Sequence, residues 1–195
     1  MKTGLIVVGM GGVGSSLIAG LLGSRPRLER KFGSFAVGAF ELRRDDAYCA
    51  AVRAGLERSL LDELRTELRG VHAMIGARLA PTRRELVDLL AADLRGFLAH
   101  HECERGVVVC TIPGRAPPPA RPPVAPDEVW AALENDADWV TPGTVYAAAA
   151  VQAGCSFIAA APDPALAAPG IQALFVEKGL PIMEMGFPIL KASAA

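Results

Sequence analysis

Lysine is scarce in this chain, histidine and tyrosine are scarcer, and no apolar run is long. Four lysines stand among 195 residues, with three histidines, two tryptophans and two tyrosines. Twenty Lys and Arg balance 21 Asp and Glu, for a formal net charge of -1. The arginines form no stripe or tail, which argues against an electrostatic nucleic-acid surface, so no nucleic-acid partner is expected. Glycine or charge interrupts each apolar stretch well short of the roughly 20 residues a membrane helix needs, so no membrane partner is expected either. Met1-Lys2-Thr3-Gly4 and the short Leu5 to Val8 run lack the apolar core and cleavage site of a signal peptide, and a cytoplasmic protein is expected. The cysteines, Cys49, Cys103, Cys110 and Cys155, form no C-x-x-C pair and read as reduced and mostly buried. His100-His101-Glu102-Cys103 has no second ligand group nearby in sequence; it reads as a solvated helix end, and no metal site is expected.

What is present begins at the fifth residue. Leu5-Ile6-Val7-Val8 is an apolar strand that runs into Gly9-Met10-Gly11-Gly12-Val13-Gly14, with the helix-compatible Ser15 to Leu22 behind it. This is G-x-G-x-x-G in the setting its chemistry requires. Gly9 permits a tight turn, Gly11 lets the backbone approach a pyrophosphate, and Gly14 lets the new helix pack close to the strand while its first amides face the anion. Dinucleotide binding is the leading expectation; a glycine-rich turn with no ligand is the alternative.

The remainder alternates strands and helices. Ser34 to Leu42 reads as a strand closing on Glu41, and Asp45 or Asp46 caps a helix over 47–52. The leucines of 59–68 recur at helical spacing. Pro81-Thr82 opens the longest helix, running towards His100. Gly106 to Ile112 is a fully apolar, β-branched run of the kind found in buried parallel strands. The proline-dense 117–123 stretch reads as a loop or spacer. Asp127 to Leu133 is a short helix, Thr141-Pro142 are N-cap and N1 of another, Cys155 to Ala160 is a strand, 171–178 a helix, and Gly179 to Ile182 begins a last strand. Such alternation predicts an α/β fold, a Rossmann-like doubly wound parallel sheet, over residues 1–186 with an irregular tail over 187–195. A ligand then sits at the carboxyl ends of the strands, against the loops starting near Gly9, Glu41 and Thr111.

At this point the chain resembles the myo-inositol-phosphate synthases, also called inositol-3-phosphate synthases, over the first half or so of a family member. Val7 to Gly20 is similar to the family's nucleotide loop, one residue shorter. Phe32-Gly33-Ser34 and Val37-Gly38-Ala39-Phe40-Glu41-Leu42 look like its next two blocks, where the family usually carries G-G-W-D-I. Leu133-Glu134-Asn135-Asp136 followed by Val140-Thr141-Pro142-Gly143-Thr144-Val145-Tyr146-Ala147 resembles its S-P-S-x-x-Y-A segment, and Gly154 to Ile158 the strand after it. The family uses NAD to oxidise glucose 6-phosphate at C5, closes the ring by an internal aldol step and reduces the product, an isomerisation overall. The resemblance implies NAD as cofactor, held by Gly9, Met10, Gly11, Gly12, Val13, Gly14, Glu41, Thr111 and Gly114. Glu41 stands where the family's aspartate meets the cofactor ribose.

The departures bear on catalysis. Ile112-Pro113-Gly114-Arg115 replaces the family's S-T-E-P-P or T-A-N-T, and Ala159-Ala160-Ala161-Pro162-Asp163-Pro164 replaces N-G-S-P-Q-N. After Ile182, where K-T-G-Q-T or K-S-G-Q-T is expected, the sequence is Met183 to Lys191. Lys2, Lys31, Lys178 and Lys191 match no catalytic lysine, and the residues flanking Lys191 do not fit that role. No catalytic residue is therefore assigned. The expectation is a truncated synthase homologue, weak or inactive alone, that meets glucose 6-phosphate only if a catalytic half completes it. The alternative is a non-catalytic NAD-binding or partner-binding module that pairs with a complete synthase; a homo- or hetero-oligomer fits either. An unrelated dehydrogenase with a Tyr-x-x-x-Lys pair is disfavoured, since Tyr146 is followed by Ala150 and Tyr48 by Val52.

Overall fold

Three segments, residues 1–76, 80–115 and 121–185, are described by the computed structural model. The expected tail, 187–195 with Lys191, lies outside them, as do Gly186 and residues 117–120 of the proline-dense stretch.

Among the described residues six strands form one sheet in the order β3-β2-β1-β4-β5-β6, with β1 at Thr3–Val8, β2 at Phe35–Glu41, β3 at Ala73–Ile75, β4 at Arg105–Cys110, β5 at Cys155–Ala159 and β6 at Ile182–Glu184. Every neighbouring pair is parallel. In β1, Ile6 and Val8 point to one face and Val7 to the other, and all three are fully buried, as the two-residue period of a strand covered on both sides demands. The strand order reverses between β1 and β4, which places the switch-point crevice beside Gly9 and Thr111.

One face is covered by α1 (Gly12–Gly23), α3 (Ala47–Arg53), α4 (Arg58–Glu63) and α5 (Arg65–Arg69). The other carries α6 (Arg83–His100), α7 (Pro126–Glu134), α8 (Pro142–Gln152) and α9 (Pro169–Glu177). Helix α8 is buried from Gly143 to Val151, and its run of four alanines, Ala147 to Ala150, is what lets a helix be enclosed on all sides without steric conflict. The expected caps are in place: Asp46 accepts from the Cys49 amide at 2.7 Å, Thr82 from Glu85 at 3.2 Å and Thr141 from Thr144 at 3.1 Å.

One local expectation needs correction, and two elements are additions to the sequence reading. The segment 59–68 is two short helices, because Leu64 leaves helical geometry (φ -104, ψ 13) between them. The first helix does end at Gly23, but Arg25–Phe32 then forms α2. Pro26 there occupies the first turn, where its missing N–H costs nothing. Strand β3 was not anticipated: it is three half-buried residues long and has no periodicity of its own.

Candidate functional site at the carboxyl edge of the sheet

Gly9 leaves β1 with φ +87 and donates its amide to the Phe40 carbonyl at 2.9 Å. A positive φ of this size is where glycine is at home and a side chain is strained. The turn delivers α1 so close to β1 that a Cβ on Gly14 would overlap the Gly9 carbonyl oxygen. Gly11 and Gly12 are the reverse: both are exposed, and a Cβ added at either meets nothing within 4 Å. Gly11 is the N-cap of α1 and supplies no side-chain acceptor, and the first turn holds no acidic residue. The first amides of this 12-residue helix are therefore capped by no side chain of the helix itself.

Two neighbouring strand ends brace the turn. Glu41, the last residue of β2, accepts from the Met10 amide at 2.7 Å through Oε2 and from the Leu42 amide at 2.8 Å through Oε1. An ionised carboxylate has about four acceptor positions, of which the described residues fill two. On the other side, Thr111 Oγ1 lies 3.0 Å from the Val8 carbonyl and 2.9 Å from the Gly9 carbonyl, and its amide donates to Val8. Ser15 closes the turn from within by donating to the Met10 carbonyl at 2.9 Å.

The structure thus brings Gly9, Gly11, Gly12, Val13, Gly14, Glu41 and Thr111 together. Met10 differs from the rest, since its side chain is only 3% exposed and packs into the α1 face of the core. Gly114 lies on the far side of Thr111, where its amide donates to the Pro162 carbonyl at 3.0 Å. Beside it is a cavity of about 420 Å3 lined by Ile112, Pro113, Arg115, Val140, Thr141 and Pro142.

Two residues behind this edge escaped the sequence reading as site residues. Asp163 is 1% exposed and accepts from Thr141 Oγ1 at 2.6 Å and from the Ala165 amide at 3.2 Å. Burial raises its carboxyl above the usual aspartate range, opposed by the Thr141 hydrogen bond. The Pro162-Asp163-Pro164 context reads as a turn, and nothing in it announces that the carboxylate points inward. Tyr146, 5% exposed, donates to the Gly76 carbonyl at 2.8 Å and stacks at 5.4 Å from Phe40. Burial raises its phenol, and the nearby Glu41 carboxylate adds to the rise. Tyr146→Phe leaves the Gly76 carbonyl unsatisfied and is expected to cost about 1–2 kcal/mol in urea melts at pH 7. The gap should narrow above about pH 10, where the unfolded phenol ionises and the folded one does not, so the wild type loses stability that the phenylalanine variant keeps.

Burial also pushes the Cys110 and Cys155 thiols up to about 11, which makes both protonated packing residues instead of nucleophiles. Among the described residues no three His, Cys, Asp or Glu side chains are grouped to hold a metal ion, and no helix is long and apolar enough to cross a membrane.

A family model described as myo-inositol-1-phosphate synthase, for its NAD-binding domain, matches residues 70–192. The cofactor of such a domain is NAD. The match starts past the glycine turn, whose own role rests on its geometry. Inositol-3-phosphate synthase 1 of Bacteroides thetaiotaomicron is 27% identical over 236 aligned residues, 95% of this chain and 54% of that protein. The crystal structure of inositol-3-phosphate synthase from Caenorhabditis elegans is similar in fold, with a TM-score of 0.80 at 17% identity, over 93% of this chain and 48% of that one. The chain spans about half the length of these relatives.

Proposed function

Because the chain belongs to the myo-inositol-1-phosphate synthase family, we propose that it binds NAD across the carboxyl edge of β2, β1 and β4 and serves as the dinucleotide-holding half of an inositol-3-phosphate synthase. The observation that carries this is the convergence of an uncapped helix N-terminus, a bare Gly11-Gly12 backbone and the Glu41 carboxylate around a single turn. The amides of Gly12, Val13 and Gly14 would face the pyrophosphate, as backbone donors at a helix start do. The two acceptor positions of Glu41 that no described residue fills suit the paired hydroxyls of a ribose. Thr111 fixes the Gly9 carbonyl and Gly114 borders the far half of the site. When bound, NAD supplies a hydride acceptor; what this chain's residues do is bind, orient and fix the turn.

Glucose 6-phosphate enters the proposal through the family alone, with the cations that would hold it supplied by a catalytic half. A cytoplasmic setting is part of the same reading, and the four cysteines, all free, suit a reducing compartment.

A thermal melt across an NAD titration tests the proposal. NAD at about a hundred times its dissociation constant should add roughly 2.7 kcal/mol of stability. The rise should saturate and should vanish in Gly11→Val, whose side chain fills the open approach without meeting protein atoms. A folded wild-type chain with no rise would sink the reading.

A further inference from the structure

Three loops that have no sequence relation meet on one carboxylate. Asp163, on the loop after β5, bonds through Oδ2 to Thr141 at the start of α8 and through Oδ1 to the Ala165 amide of its own loop. Thr141 has one hydroxyl hydrogen. It is given to Asp163, so the Thr144 hydroxyl, 3.1 Å away, donates to Thr141 alongside the Thr144 amide. The carboxylate also fits against two glycines, Gly114 on the loop after β4 and Gly143 in the first turn of α8, and a Cβ on either would overlap it. The loop after β5 is tied to β4 by the Gly114 amide on the Pro162 carbonyl at 3.0 Å and the Ala160 amide on the Cys110 carbonyl at 2.8 Å.

The cavity of about 420 Å3 lies between the same parts. One wall is Ile112, Pro113 and Arg115, flanking Gly114, and the opposite wall is Val140, Thr141 and Pro142. Ile112 reaches the glycine turn, since a Cβ on Gly9 would come within 2.9 Å of it. Glu41 ends β2 on one side of β1, whereas this cavity opens past β4 on the other. A dinucleotide whose ribose meets Glu41 and whose pyrophosphate meets α1 therefore sends its far half towards the cavity.

We propose that Asp163 is a positioning residue, which sets the spacing between the two cavity walls by holding Thr141 and seating against Gly114, and so governs how the nicotinamide end of the cofactor is held. The inference rests on the dinucleotide reading above. It differs from a structural role in one respect: it predicts selective damage. ADP-ribose carries the adenosine, pyrophosphate and second ribose but no nicotinamide ring, so it uses Glu41 and the glycine turn and has nothing to place in the cavity.

Calorimetric titration of NAD and of ADP-ribose into the folded chain separates the cases. Asp163→Asn keeps the shape but leaves one acceptor oxygen for two donors, the Thr141 hydroxyl and the Ala165 amide, so an NH2 must face one of them. NAD should bind about tenfold more weakly, as the loss of one buried hydrogen bond implies, with ADP-ribose changed less than about twofold. Thr141→Val should reproduce that selectivity and Thr141→Ser should restore it, which decides the matter even if Asp163→Asn does not fold. Equal weakening of both compounds, or of neither, in the variants would overturn the inference while the dinucleotide reading stands. A wild-type chain that binds neither compound overturns that reading and this inference with it.

Discussion

Gly14→Ala is expected to destabilise the fold by about 3 kcal/mol, the upper end of the ordinary cost of overpacking. Two effects oppose each other at this position. Gly14 lies in the first turns of α1, and in a helix alanine normally improves on glycine by roughly 0.5–1 kcal/mol. Against that, the new Cβ would overlap the Gly9 carbonyl oxygen. That atom is backbone, fixed by Thr111 at 2.9 Å on one side of the turn, and cannot swing away as a long side chain would. The clash wins, because relieving it means moving α1 off the sheet or breaking the Thr111 brace. Gly11→Ala is the matched control: the same methyl, three residues earlier, meets nothing within 4 Å at a φ of -71 that any residue adopts. Its stability should stay within about 0.5 kcal/mol of wild type. Urea midpoints of the two variants decide the case, and equal midpoints would refute the close-packing role of Gly14.

The same pair shows what was legible in the sequence. The strand-glycine-helix pattern names its residues in order, and their division of labour follows from the fold that the pattern itself implies. The parallel sheet was equally legible, since Leu5 to Val8 and Val107 to Cys110 are apolar without alternation, which only a strand covered on both faces tolerates. Helix α6 announced itself through Thr82 and a long periodic run. Strand β3 and helix α2 did not. Ala73 to Ile75 is held in the sheet by its register with Ala39, Phe40 and Glu41, a tertiary fact with no local trace. Pro26 has two opposite meanings, stop and first turn, and the choice depends on where Ser24 leaves the chain.

The site divides along the same line. Glu41 is legible as the acid that closes a strand, and its place at the cofactor ribose is what the resemblance to the synthases implies. Its hold on the Met10 amide is not legible, because it joins residues 31 apart in sequence. Asp163 is the sharper case. The substitution of alanines and prolines around it reads as lost polar chemistry, yet the one acid in that run is buried against a glycine of the loop after β4 and a glycine in the first turn of α8. Gly114 and Gly143 each look like ordinary loop or helix-start glycines. Their necessity appears only when the carboxylate between them is seen.

Phe40→Ala is expected to cost about 4 kcal/mol, within the 3–5 kcal/mol range for removing a buried aromatic side chain. Phe40 is fully buried at the end of β2, and its ring faces Tyr146 at 5.4 Å. Truncation empties the space beneath the Gly76 turn and Tyr146, which surrounding backbone cannot close because Gly76 is fastened to the Glu41 carbonyl at 2.9 Å and to the Tyr146 hydroxyl. The cavity term therefore stays near its full size instead of relaxing away. Against a total stability of roughly 5–15 kcal/mol for a domain, this loss brings the chain close to unfolding at ordinary temperature. Phe32→Ala removes the same atoms from a ring that is 62% exposed on α2 and should change stability by no more than about 0.5 kcal/mol. The Phe40 carbonyl that accepts from Gly9 is untouched by the substitution, so whatever Phe40→Ala variant remains folded should still melt higher when NAD is added. Comparable urea midpoints for the two alanine variants would mean that the face shared by β2 and α8 is not the tightly filled core that these distances describe.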